Sequence, residues 1–265
     1  MHSRPRQRLT TAWRALRTGI AFVAFGLGSV WLAVVWLRIR ALLDRDQVEP
    51  WRKAQRAIRR LFRWHQGVME TLGLIEVHWI GAERLAVPGP KIIVANHPSL
   101  IDVVLVISQL PQADCIVASK RAENRWLRGS VAAADYITND SGVAVVYEAA
   151  RRLKAGRTLV VFPEGTRTPA DERLGHFQRG AAHIALATGL DMLPIEISVE
   201  PRMLMKGQSW YHVPPRAGRY TLRVGEPVIL KEHLDGSESS VMAARKLTRA
   251  LRVRFVGRGV TNAGD

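Results

Sequence analysis

The first strong pattern along the chain is a gap in charge. Gly19–Leu37 (GIAFVAFGLGSVWLAVVWL) contains no ionisable residue over nineteen positions. Wound as a helix at about 1.5 Å per residue, it would reach roughly 28 Å, close to the hydrocarbon thickness of a bilayer. Arg14 and Arg17 precede it, Arg38 and Arg40 follow it, and Trp31 and Trp36 lie near its far end, where membrane-interface anchors sit. Two readings stay open: a single span, or a helix or bent hairpin dipping into one leaflet, breakable at Gly26 and Gly28. Basic flanks on both sides give no orientation. A cleaved leader is disfavoured, because no small-residue cleavage site precedes the basic stretch at Arg38. Residues 48–66 then follow a helical period. Trp51, Ala54, Ile58, Leu61 and Phe62 fall near one side, with Arg52, Arg56, Arg59, Arg60 and Arg63 around the rest. Such a helix alone fits a solvated face on a protein core; beside the nineteen-residue apolar run, a basic amphipathic helix on a membrane surface is the reading preferred.

From about residue 74 short apolar strands alternate with helices. The strands expected are Leu74–Ile80, Lys91–Ala95, Cys115–Ser119, Thr158–Phe162, Met192–Val199 and Tyr220–Val224. The helices expected are Pro98–Gln109, Ala122–Ala133, Val143–Ala155, Phe177–Thr188 and Ser239–Val256. Such alternation predicts an α/β fold, with a mixed, largely parallel sheet flanked by helices behind an N-terminal membrane-associated helical segment. The organisation expected is a basic anchoring segment over 1–66, a catalytic domain over 67–257 and a frayed tail over 258–265. Pro201–Arg219, rich in Pro, Gly and Met, reads as a long irregular excursion.

Charge sharpens the picture. The 265 residues carry 39 Lys+Arg against 23 Asp+Glu, a net of +16. Residues 1–66 hold fourteen of the basic residues and three of the acids, a net of +11. The excess therefore surrounds the apolar run and points to an anionic membrane surface rather than nucleic acid, for which no zinc-finger or RNA-recognition pattern is present. One cysteine, Cys115, excludes an internal disulfide framework, and the eight histidines show no metal-ligand spacing. No G-x-G-x-x-G, G-x-x-x-x-G-K-[ST] or G-x-S-x-G is found, which disfavours dinucleotide, P-loop and serine-hydrolase chemistry. No cofactor or metal is expected.

Two segments carry candidate chemistry, each directly after an apolar strand, where open α/β sheets bind ligands. In Asn96-His97-Pro98-Ser99-Leu100-Ile101-Asp102, Pro98 suits a first helical position, leaving the His97 ring just outside and free to fold back toward Asp102. A carboxylate on one imidazole nitrogen fixes the tautomer and makes the other nitrogen a base. The spacing alone is weak, since His65/Glu70, His78/Glu83 and His233/Glu238 share it. In Phe162-Pro163-Glu164-Gly165-Thr166-Arg167, the glycine permits close backbone approach, the threonine offers a hydroxyl and the arginine a fork suited to phosphate. Glu164 could orient Arg167 or hold a substrate hydroxyl. The bland alternative is a structural turn.

Together, NHPSLID and FPEGTR resemble the lysophospholipid (1-acylglycerol-3-phosphate) acyltransferase family, marked by NHxxxxD and FPEGTR. Lys120 after the third strand, Phe177–Ala182 (FQRGAA) and Leu193-Pro194-Ile195 match further family blocks, so the resemblance covers roughly residues 70–230. It implies a glycerolipid-acyltransferase-like fold and transfer of a fatty-acyl group from acyl-CoA or acyl-ACP to a lysophospholipid hydroxyl. His97 would be the general base, oriented by Asp102, with Asn96, Ser99, Lys120, Glu164, Gly165, Thr166 and Arg167 binding substrate. Transfer would be direct, leaving Cys115 a buried strand residue. The enzyme would sit at the inner membrane if bacterial, its site facing the cytoplasm.

One departure stands out. The family commonly carries G-x-x-F-I-x-R, whose arginine grips the acceptor phosphate. Here the stretch reads Ala133-Ala134-Asp135-Tyr136-Ile137-Thr138-Asn139, with Asn139 in the arginine's place and Asp135 adding a negative charge. A less anionic lipid acceptor with a dedicated carrier-protein donor becomes the competing reading, unless Arg121, Arg125 or Arg128 supplies the charge. A basic membrane-surface protein without catalysis is the alternative from a different class.

Overall fold

The computed structural model describes residues 4–32, 35, 49–119, 128–139, 142–234 and 238–256. Trp36, Arg38, Arg40, Lys120, Arg121, Arg125, the start of the expected 122–133 helix and the 258–265 tail lie outside these.

Seven strands form one sheet: β1 Ile75–Ile80, β2 Ile92–Ala95, β3 Asp114–Ala118, β4 Ile137–Asn139, β5 Leu159–Val161, β6 Met192–Glu200 and β7 Gly218–Val224. Their order is β1-β7-β6-β2-β5-β3-β4, and every neighbouring pair is parallel except β6 with β7. The mixed, largely parallel sheet expected from the alternation is therefore what the chain forms. β2 is buried at all four positions, as a parallel strand covered on both faces must be. β4 was not among the expected strands; three residues are too few to show a period.

Seven α-helices accompany the sheet among the described residues: α1 Arg4–Trp31, α2 Pro50–Thr71, α3 Asp102–Gln109, α4 Arg128–Ala133, α5 Gly142–Lys154, α6 Gly180–Thr188 and α7 Ser240–Val256. They cover opposite faces. Ile93, Ala95 and Val160 join α1, α2 and α3 in one core cluster. Ile92, Val94, Leu159 and Val161 join α5, α6 and α7 in the other. The alternation of side chains along β2 and β5 divides them.

The end of the expected apolar run Gly19–Leu37 lies outside the described residues. α1 runs unbroken through Gly26 and Gly28, and no helix among the described residues is long and apolar enough to cross a membrane. Gly28 serves packing, since a Cβ there would lie 2.8 Å from Leu61 Cδ1 of α2. Arg14 donates to the carbonyls of Pro214 and Gly73, and Arg17 to that of Leu72. These cations thus cap the C-terminal end of α2, where the helix dipole favours them. The inner side of α1 places Ala21, Phe22 and Phe25 on the core. Its outer side leaves Trp13, Leu16, Ile20, Val23, Leu27 and Trp31 exposed as one continuous stripe.

α2 is amphipathic as expected, but its apolar side is occupied by protein rather than free for lipid. Ala54, Gln55, Ala57, Ile58, His65 and Met69 are buried. The helix passes through the expected domain boundary at residue 66 without a break. Gln55 is fully used: its Nε2 donates to Asp114 Oδ1 and the Ala134 carbonyl, and its Oε1 accepts from Ala113 N. Arg157, paired with Asp114, stacks 3.7 Å above the Trp51 ring. Arg152 and Arg157 also hold Asp135, so α2 is welded to the N-terminal ends of β3, β4 and β5.

His65 joins α2 to α1, its ring 4.5 Å from that of Phe25, and its buried Nδ1 has no partner. Burial lowers its pKa from 6.5 to about 4. Between those values the unfolded chain binds the proton and the folded chain does not, so stability is full above pH 6.5 and declines toward pH 4. The expected loss is up to about 3 kcal/mol across that window. A urea midpoint falling less steeply with pH in His65→Leu than in wild type checks it.

Candidate active site

The segment after β2 is a turn rather than a helix start. α3 begins only at Asp102, four residues later than the first helical position expected at Pro98. This brings His97 and Asp102 together: His97 Nδ1 lies 2.9 Å from Asp102 Oδ2. Ser99 N donates to the same oxygen at 2.6 Å, and Ser99 Oγ to Oδ1 at 2.8 Å. Tyr220 of β7 donates its hydroxyl to Ser99 Oγ at 3.1 Å. Asp102 is wholly buried, and burial raises its pKa against the opposing bonds and charge of His97 and the Ser99 bonds. A carboxylate held at Nδ1 fixes the N–H there and leaves Nε2 as the free ring acceptor.

The Phe162–Arg167 loop after β5 meets this turn. The Phe162 ring lies 4.7 Å from that of His97. Glu164 Oε1 accepts from His97 N at 2.8 Å and from Thr168 Oγ1 at 3.1 Å, while Oε2 accepts from Gly175 N at 2.9 Å. Both oxygens of this buried carboxylate are thus engaged in joining three loops. Gly165 adopts φ 66°, a left-handed conformation that suits glycine.

Beside them opens a cavity of about 840 Å³. His97, Glu164, Gly165, Thr166, Asn139 and Arg179 line its polar part. Phe25 of α1, Leu32 just beyond it and Ile58, Leu61 and Phe62 of α2 line its apolar part, with Val103, Val104 and Ile107 from α3. Arg179 is the one Lys or Arg among the described lining residues. Cys115 also lines it, with its thiol pushed up to about 12 by burial and the nearby Asp114, and so stays protonated.

Several residues expected to bind substrate have other partners. Asn96 pairs with Ile197 of β6 through both amide atoms, Nδ2 donating at 2.9 Å and Oδ1 accepting at 2.7 Å. Ser99 is buried beneath Asp102. Arg167 lies outside the cavity lining, its Nη1 donating to the carbonyls of Leu204 and Met205. It anchors the 201–217 excursion, which packs Met203, Leu204 and Met205 into the core. Asp135 is turned to Arg152 and Arg157, away from the acceptor position. Arg128, the described candidate for a displaced arginine, is also outside the lining. Tyr220, Thr168 and Arg179 carry parts of the site that the sequence reading did not single out. For Tyr220 no local signal exists, because its partner Ser99 is 121 positions away.

A buried His–Asp pair at the strand ends of an α/β sheet, open to a largely apolar cavity, has the arrangement of a general-base site. The acyltransferase family profile matches residues 75–198. The lyso-ornithine lipid O-acyltransferase of Pseudomonas aeruginosa is 31% identical over 195 residues, covering 72% of this chain and 69% of that protein. The 1-acyl-sn-glycerol-3-phosphate acyltransferase alpha of Mus musculus is 31% identical over 163 residues, covering 58% and 55%. Against such glycerol-phosphate relatives the chain spans about half their length. The crystal structure of PlsC, the 1-acyl-sn-glycerophosphate acyltransferase of Thermotoga maritima, superposes with a TM-score of 0.67. That match has 23% identity and covers 93% of this chain and 99% of PlsC, which establishes the shared fold. The chain belongs to the 1-acyl-sn-glycerol-3-phosphate acyltransferase family.

The Asn96 clasp yields a stability prediction. Asn96→Ala leaves the buried N–H and C=O of Ile197 unpaired and is expected to cost about 2–3 kcal/mol. A urea midpoint within error of wild type would contradict the structural role.

Proposed function

We propose that the protein is a membrane-associated O-acyltransferase that moves a fatty-acyl group from a thioester, acyl-CoA or acyl-ACP, to a lysolipid hydroxyl. The observation that carries this reading is the buried Asp102–His97 pair facing the apolar cavity. His97 Nε2 takes the acceptor hydroxyl's proton as the oxygen attacks the thioester carbonyl carbon. The C–O bond forms, the C–S bond breaks as the tetrahedral intermediate collapses, and the imidazolium returns its proton to the leaving thiolate. No acyl-enzyme is needed. Asp102 keeps the tautomer and stabilises the imidazolium. Gly165 and Thr166, which line the cavity, would contact the acceptor head group.

For the acceptor, a less anionic lysolipid than lysophosphatidate is favoured. Asn139 lines the cavity where the family arginine is expected, and Arg167 is committed to two carbonyls. Among the described lining residues that leaves Arg179 to meet a single negative charge, such as a carboxylate or a phosphodiester. The lyso-ornithine lipid relative, covered over 69% of its length, supports an acceptor of this kind. The exposed stripe of α1 supports membrane association with the helix lying in the interface.

His97→Ala is expected to lower acyl transfer by about 10²–10⁴-fold, as loss of a general base does, while vesicle binding persists. Mass spectrometry of products from each donor with several lysolipids reads this; activity near wild type would sink the mechanism, and no product from wild type itself would favour a non-catalytic membrane-surface protein. Arg179→Gln is expected to raise KM for a singly anionic acceptor by about 10–100-fold, the worth of one charge-assisted bond. Efficient turnover of lysophosphatidate alone would overturn the acceptor assignment.

A further inference from the structure

α7 (SVMAARKLTRALRVRFV) contains five basic residues and no acid, a net of +5. That equals the net charge of the whole chain after residue 66. Ala243, Ala244, Leu247, Leu251 and Phe255 face the core. Arg245, Arg249 and Arg252, at spacings of four and three, fall on the opposite side, all exposed. Lys246 has a partner in Glu238, but none of these three arginines meets a carboxylate among the described residues. Val241, Val253 and Val256 are exposed beside them, so the face is cationic with an apolar border.

Position argues against lipid as the occupant. α1, with the exposed apolar stripe, packs on one face of the sheet, and α7 packs on the other. With α1 in the interface, the arginines of α7 face away from the bilayer. They are nevertheless connected to the site: Phe255 packs edge-on against Phe177 at 5.3 Å. Phe177 leads directly into Gln178 and Arg179, which line the cavity.

We propose that the Arg245–Arg249–Arg252 face of α7 docks an acidic carrier protein that delivers the acyl thioester to the cavity. This rests on the acyltransferase reading and chooses between its two donors. The arginines attract the acidic surface and set orientation, as complementary charge does at transient interfaces, and the valines supply the desolvated contact. Acyl-CoA, lacking a protein surface, makes no use of this face.

The test uses the full chain in phospholipid vesicles, with one acyl chain offered on acyl carrier protein and on coenzyme A, and wild type compared with Arg245→Glu/Arg249→Glu/Arg252→Glu. The triple variant is expected to lose about 30-fold or more in kcat/KM with the carrier-protein donor and to stay within about two-fold with coenzyme A. Raising salt from about 0.05 to 0.5 M should slow the wild-type carrier-protein reaction far more than that of the variant. Equal loss with both donors, or no loss with the carrier protein, overturns the proposal. So does loss of binding to anionic vesicles by the variant, which would make the face a lipid contact. Absence of transfer by wild type from either donor defeats the acyltransferase reading itself. Fluorescence anisotropy of labelled acyl carrier protein against the two chains then decides the docking separately: tighter binding by wild type supports it, and equal or absent binding overturns it.

Discussion

The site depends on a carboxylate that touches no substrate in the mechanism proposed. Glu164 accepts from the backbone of His97 and Gly175 and from the Thr168 hydroxyl, tying the turn after β2 to the loop after β5 and to the approach to α6. Gly175 has room for no side chain, because a Cβ would collide with this carboxylate. Charge-assisted bonds to backbone N–H groups are the stronger kind, and a buried carboxylate is tolerated only when so satisfied. With Glu164 removed, the peptide of His97 would lose its N–H partner, and the ring it carries would lose its fixed distance to Phe162 and the cavity. Asn96 does the same on the other side, tying the strand end to β6. Most of the conspicuous polar residues near His97 are therefore scaffolding, which leaves its Nε2 free for chemistry.

Much of the organisation was legible in the sequence because it rests on local periodicity. Strands such as β2 and β5 are short β-branched runs, and the two motifs sit at their ends. What escaped was decided by partners distant along the chain. Asn96 meets Ile197 and Arg167 meets Leu204 and Met205, contacts that no spacing rule anticipates. Pro98 satisfies a helix-start rule, yet the helix waits until Asp102, because Asp102 Oδ2 draws in the N–H of Ser99 and shapes a turn instead. Asp135 looked like an obstacle to an anionic acceptor until its φ of 55° turned it toward two arginines at the far strand ends.

The basic excess likewise divides once side chains are placed. Arg14 and Arg17 serve carbonyls at the end of α2, and Arg59 donates to the Ser108 carbonyl at 3.1 Å. These belong to internal packing although they lie in the most basic segment. Among the described residues Arg245, Arg249 and Arg252 of α7 meet no such internal partner, although they lie in the nearly balanced part of the chain. Net charge by segment is thus a poor guide to which cations remain available to a partner; the hydrogen-bond partners decide it.

Both sheet faces contribute to the cavity. The cavity reaches past the strand ends to both, bounded by α1, α2 and α3 on one side and by Val145, Ala181 and Ile184 of α5 and α6 on the other. The apolar walls also strengthen the coupling that matters. Water is held away from Asp102, so its attraction for a protonated imidazole acts through a low dielectric and stabilises the ion pair when the proton arrives. Desolvation raises the pKa of Asp102; the bonds from His97 and Ser99 oppose it. The same burial that raises the carboxyl's pKa thus makes its bond to His97 effective, and Ser99, held by Tyr220, keeps the two in balance.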